Sequence, residues 1–139
     1  MPSLFDHSLT VDADSIDVNR HASNIAYIRW MQDAAVAHSA AVGWSGEDYL
    51  HEGVGWFVRS HQITYLAPAN EGNELVVRTW VDNFRAFRSL RKYEFYRAEP
   101  SGEQTLLAMA ETDWVFVNLA TGKPQKIAPN VLNAFSINQ

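Results

Sequence analysis

The sequence predicts an α+β fold in which one long helix is wrapped by a five-stranded antiparallel sheet. Three observations predict it. Residues 24–42 carry apolar side chains at three- and four-residue steps. One alternating stretch precedes them, and four long ones follow between residues 56 and 119. Pro, Gly and Asn clusters separate these stretches at short intervals, as hairpin turns do. The 139 residues fit a single domain, taken as 1–139, and are enough to bury a core without disulfides or a structural metal.

In chain order, Phe5, His7, Leu9 and Val11 share one face of a first strand over 5–11. A polar turn leads to the helix, where Tyr27, Ile28, Met31, Ala34, Ala35, His38 and Val42 form the apolar stripe and Gly43 ends it. Ile25, Trp30, Val36 and Ala40 lie off the stripe, so the helix is expected to be covered on several sides. A short helical turn over 47–51 precedes strands over 56–66, 74–84, 87–98 and 104–119, with Leu75, Val77, Thr79 and Val81 alternating in the second of these. One helical turn is expected over 129–135. Strands of this length must curve around the helix. A single sheet covers one side of it and leaves two open edges, so pairing with a second copy is expected.

Composition narrows the chemistry. With no cysteine, disulfides, thiolate metal sites and a cysteine nucleophile are excluded. No His/Asp/Glu set has metal-ligand spacing, so neither a metal nor another cofactor is expected. The first residues lack the basic start and apolar run of a signal peptide, and no stretch has the length of a membrane span, so a cytoplasmic protein is expected. A net charge of −5 argues against nucleic acid or an anionic membrane as partner. Even so, five of the 11 Lys and Arg residues fall between Arg85 and Arg97, a segment suited to a small phosphorylated ligand.

The segment that bears chemistry is IDVNRHASNIAYIRW, residues 16–30, in which Asp17 precedes a polar turn and then a helix start. First-turn N–H groups have no intrahelical acceptor and carry the positive end of the helix dipole, so an amide at Asn24 or Ile25 suits an oxyanion forming on a thioester carbonyl. Asp17 is placed either to deprotonate a water or to attack the carbonyl carbon itself. The plainer alternative is that these residues only cap and turn the chain, with Ser23 or Asn24 as N-cap.

The same segment, with Asp17, His21, Asn24, Tyr27 and Trp30 in order, resembles the signature of the 4-hydroxybenzoyl-CoA thioesterase-like family of hot-dog proteins. VRSHQITYLAPANEGNELVVRTWV is similar to that family's second and third strands with their Tyr-x-x-Pro-Ala turn, and ETDWVFVNLATGKPQKIAP to its last strand and closing turn. The resemblance spans nearly the whole chain. It implies a hot-dog fold, dimers with a continuous sheet that often pair into tetramers, and ligands at the subunit interface. It also implies that Asp17 is general base or nucleophile, that the Asn24 amide polarises the carbonyl, and that His21 and Asn24 line the pocket. The sequence departs from the family at Arg20, where Gly is usual. A small residue there lets the turn approach substrate, whereas a guanidinium reaches instead for a phosphate or a carboxylate-bearing acyl chain.

The implied activity is hydrolysis of a thioester of CoA or of acyl carrier protein, with CoA entering as part of the substrate. Tyr27, Trp30, Trp56 and Phe57 suit a fatty or an aromatic acyl group, or simply the core. Arg88, Arg91 and Lys92 are candidates for the CoA phosphates, with Arg91 expected on the strand face opposite the other two; a charged, solvated edge is the alternative. Arg59 and His61, two residues apart, are expected on one face of their strand lining the dimer groove. His38 is read as a core or interface histidine, and Glu47, Asp48 and Glu52 as surface residues or a second carboxylate from a partner. Two rival functions stand beside hydrolysis: an acyl-CoA-binding domain without turnover, and a hydratase or dehydratase on the same fold.

Overall fold

A computed structural model describes residues 3–135. Strand β1 spans Phe5–Thr10, helix α1 Asn24–Ala41, α2 Gly46–Glu52, β2 Val54–Tyr65, β3 Glu74–Arg85, β4 Arg88–Ala98, β5 Gln104–Asn118 and α3 Pro129–Ala134. The sheet is antiparallel throughout in the order β1-β3-β4-β5-β2, so β1 and β2 are its edges. A 3₁₀ turn at Ala13–Ser15, closed by Asp12 accepting from the Ser15 N–H, is an element the periodicity does not reveal.

Each element has a local cause. Ser23 caps α1 by accepting from the Ala26 N–H at 3.1 Å, and the chain leaves the helix through Gly43 at φ +100. Ser45 and Asp48 form a reciprocal capping box on α2. The expected curvature comes from irregularities in register at Val58/Ser60, Val81/Asn83 and Phe95/Tyr96, where an extra residue bends the strand.

The sheet's concave face and α1 enclose two apolar clusters. Tyr27, Met31 and Ala34 of the helix pack on Leu75, Val77, Tyr93, Phe95 and Leu107. The second, around Tyr49, Val81, Phe116, Val131 and Phe135, lies toward the C-terminal end of α1. Each fully buried side chain of this size contributes about 1.5–3 kcal/mol. Of the residues off the helical stripe, Trp30 is buried, whereas Ile25 and Val36 are 71% and 61% exposed in the single chain. The sheet therefore covers one side of α1, as expected for a sheet of one copy.

Candidate active site

The turn before α1 is a small hairpin closed by a bridge between Ile16 and Ala22. The Asp17 N–H donates to the His21 carbonyl and the Arg20 N–H donates to the Asp17 carbonyl, both at 3.0 Å. Such a turn ends in a residue of left-handed conformation. Arg20 occupies that position at φ +66, a conformation that favours glycine, the residue the family resemblance implies here. The turn leaves Asp17, Arg20, His21 and Asn24 exposed. Asp17 accepts the Asn19 N–H through Oδ1 at 2.8 Å, and among the described residues Oδ2 has no partner.

The hairpin is pinned on both sides. The Ser23 N–H donates to the Ser15 carbonyl and the Ala22 N–H to the Ala69 carbonyl, each at 2.8 Å. Asn70, on the turn between β2 and β3, places its Oδ1 3.0 Å from Nδ1 of His21, and its own N–H is held by the Asn73 side chain. Asn70 thus orients His21. Sequence reasoning missed it, although the PANEGN turn was the available signal. With Ser23 occupied as cap, the amides of Asn24 and Ile25 have no acceptor among the described residues, and they follow directly on the Asp17 hairpin, which closes at Ala22. A carboxylate, an oriented imidazole and free helix N–H groups are what attack on a carbonyl requires.

The remaining candidates lie elsewhere. Tyr27 is 2% exposed, packed against Trp30, Tyr65 and Phe95; burial raises its hydroxyl to about 12. It belongs to the core and does not face the Asp17 turn as a lining residue. Arg59 and His61 do not share a face, because the bulge between Val58 and Ser60 breaks the alternation. His61 turns inward to Thr112 Oγ1 at 2.8 Å, and Arg59 turns outward, 3.9 Å from Asp113. Arg88 bonds the same Asp113 on the outer face, and Lys92 pairs in register with Glu111 on that face. Arg91 departs from the basic cluster altogether. It is 5% exposed under α1, where it is out of reach of a nucleotide held on the outer face. Asp48 serves the α2 capping box, and the Ser45 N–H and hydroxyl hold its carboxyl below the usual range. Glu47 and Glu52 are exposed. Among the described residues no group of three His, Cys, Asp or Glu is arranged to hold a metal ion, and no helix is long and apolar enough to cross a membrane.

Residues 11–135 match the model of the thioesterase-like superfamily. The chain belongs to that superfamily. It is thereby placed among thioester hydrolases of the hot-dog fold. A protein of Bacillus subtilis (strain 168) described as the putative acyl-CoA thioesterase YneP is 28% identical over 97 residues, covering 70% of this chain and 67% of that protein. Two solved structures show the same fold. A mutant of 4-hydroxybenzoyl-CoA thioesterase complexed with 4-hydroxybenzoyl-CoA aligns with a TM-score of 0.88 at 14% identity, over 95% of this chain and 98% of that one. A 1,4-dihydroxy-2-naphthoyl-CoA thioesterase from Synechocystis aligns at 0.85 and 21%, over 96% of each chain.

Proposed function

We propose that this protein hydrolyses acyl-CoA thioesters, with Asp17 as the group that attacks the thioester carbon or deprotonates the attacking water. The observation that carries the reading is the juxtaposition of an exposed carboxylate, free at Oδ2, with the unpartnered N–H groups of Asn24 and Ile25 at the start of α1. In this mechanism the thioester oxygen accepts from those N–H groups, which match the charge that builds as the carbon becomes tetrahedral. Asp17 then supplies the nucleophile or the base, the C–S bond breaks, and the thiolate leaves as CoA. His21, held by Asn70, lines the pocket, and Arg20 on the same turn meets an anionic part of the substrate. The family membership and the description of YneP as an acyl-CoA thioesterase support the substrate class.

A second copy completes the site. Edge strand β2 exposes Phe57, Val58 and Tyr65, and α1 exposes Ile25 and Val36, a set suited to two-fold pairing of β2 with β2 in the cytosolic enzyme.

The test is release of CoA from short, long and aromatic acyl-CoAs, and from acyl carrier protein thioesters, by wild type and Asp17→Asn. Turnover by wild type that falls by about 10²–10⁴-fold in the variant is expected. Turnover unaffected by the substitution removes Asp17 from the chemistry, and no turnover of any thioester leaves a binding domain as the function. Single turnover in ¹⁸O-labelled water assigns the attack: label in the Asp17 carboxylate marks it as nucleophile.

A further inference from the structure

We propose that a cavity at the C-terminal end of α1 receives the far end of the acyl group and selects chains that end in a carboxylate, which pairs there with Arg91. The inference rests on the thioesterase reading above and adds to it the class of acyl group.

The cavity has a volume of about 420 Å³, within the range of small-molecule sites, and its wall is largely apolar, with Trp44, Trp56, Phe84 and Trp114 contributing much of it. Among the described residues, Arg91 is the only charged one that lines it. Its Nη1 donates to Nδ1 of His38 at 2.9 Å and to Oγ1 of Thr79 at 3.1 Å, and its guanidinium carbon lies 5.7 Å from the centre of the Phe135 ring. Both acceptors are neutral, because a His38 nitrogen that accepts from an arginine carries no proton. Among the described residues, Arg59, Arg78, Arg88 and Arg97 each meet a carboxylate at the surface. Arg91, the most buried of these, meets no carboxylate among the described residues. A cation taken out of water without a counter-ion is costly, and an anion delivered by a ligand offsets that cost. Among the described residues the buried indole N–H of Trp114 and the hydroxyl of Tyr93 are both without a partner.

These features select the ligand. CoA phosphates carry several charges and would face one arginine in an aromatic wall. A chain whose methylenes meet the aromatic wall and whose single terminal carboxylate meets the guanidinium fork matches both parts of the cavity. Of the hydroxyls on the wall, those of Ser39 and Tyr49 are already engaged, bonding each other at 2.8 Å with Ser39 also on the Trp44 carbonyl, while that of Ser89 has no partner among the described residues.

The cavity lies along α1 at Ala35–Ser39, 11–15 residues from Asn24, or about 16–22 Å at 1.5 Å per residue. The Asp17 turn of the same copy is therefore distant, but that of a second copy is not. Tyr27 near the start of α1 contacts Tyr65 at the end of β2, and the cavity, bordered by Ala35–Ser39 of α1, contacts Val54–Trp56 at the beginning of that strand, so α1 and β2 run in opposite directions. A two-fold axis that pairs the β2 edges antiparallel brings the Tyr65 end of one copy beside the Val54 end of the other. Each Asp17 turn then stands next to the other copy's cavity, whose rim includes the exposed Val36 and Leu50.

The experiment compares kcat/KM for suberyl-CoA and octanoyl-CoA, which differ only at the far end of the chain, in wild type, Arg91→Met and Arg91→Lys. It also compares the thermal shift that free suberate and free octanoate give wild type. The expected result is a preference for suberyl-CoA of at least about tenfold in wild type, a ratio near one in Arg91→Met, partial recovery in Arg91→Lys, and a larger shift with suberate. Equal or better use of octanoyl-CoA by wild type overturns the inference and leaves the thioesterase reading intact. Suberate protection without turnover of either thioester supports the anion site, and joined to silence across the whole thioester panel it overturns the thioesterase reading instead. The wild-type measurements decide the matter even where a substitution of Arg91 prevents folding.

Discussion

At the N-terminal end of α1 the groups proposed to react stand in solvent. Asp17, His21 and Asn24 are exposed, held by backbone hydrogen bonds of a short hairpin and by one side-chain contact from Asn70. At the C-terminal end, Arg91 and His38 are 5% and 3% exposed, stacked among Phe5 and Phe135. A group that must meet water and a thioester carbon needs access, and its position is set by rigid backbone around it. A group that must distinguish one chain end from another gains from the absence of water, because charge interactions strengthen as the surrounding dielectric falls. One helix thus joins two proposed sites with opposite demands.

The packing contrast predicts the largest effect on stability. Phe95 lies fully buried beneath the first half of α1, and Phe95→Ala is expected to cost about 3–5 kcal/mol by urea unfolding. Phe84 borders the cavity, already lacks neighbours on one side, and its truncation should cost under about 2 kcal/mol. Equal losses would mean that the cavity end is as closely packed as the core.

The charge contrast predicts a pH effect. Burial, and then the neighbouring Arg91, lower His38 to about 4. The unfolded chain takes up this proton near pH 6.5 while the folded one does not, so the contribution is complete above about 6.5 and is lost as pH falls toward 4. His61 shifts in the same direction through burial. The decline in Tm between pH 7 and 5 should therefore become shallower in His38→Gln, with any remainder traceable to His61. An unchanged slope would place a charged His38 beside Arg91.

Smaller effects belong to the exposed end. Asn70→Ala frees His21 and should lower kcat/KM for acyl-CoA by about tenfold, equivalent to about 1.4 kcal/mol, with little change in Tm. Full activity would remove His21 from the pocket. Arg20→Gly relieves a left-handed non-glycine residue and should raise stability by about 1 kcal/mol in thermal melts. A rise in KM accompanying it would assign Arg20 to substrate, whereas an unchanged KM would leave it a residue of the turn alone.

Much of this was legible in the residues. The helix start at Asn24 and its end before Gly43, the five strands, and the buried faces of β1 and β3 follow from periodicity and punctuation. So does the inward turn of Arg91 relative to Arg88 and Lys92. The opposite faces of Arg59 and His61 were not legible, because a bulge depends on the register of β2 against β5 and leaves no mark on either strand alone. Asn70 was hidden for a related reason: it lies 49 positions from His21, and only the closing of the β2–β3 turn over the hairpin brings them together.

By itself, then, the sequence determined the elements, their order and the place of Asp17 before a helix start, because these rest on side-chain period, turn residues and caps acting over a few positions. The tertiary structure alone decided that Arg91 is buried without a carboxylate among the described residues, that His38 is its acceptor, and that a cavity opens beside Arg91. Those features depend on what four strands and two helices leave unfilled between them, and a void has no residue of its own to announce it.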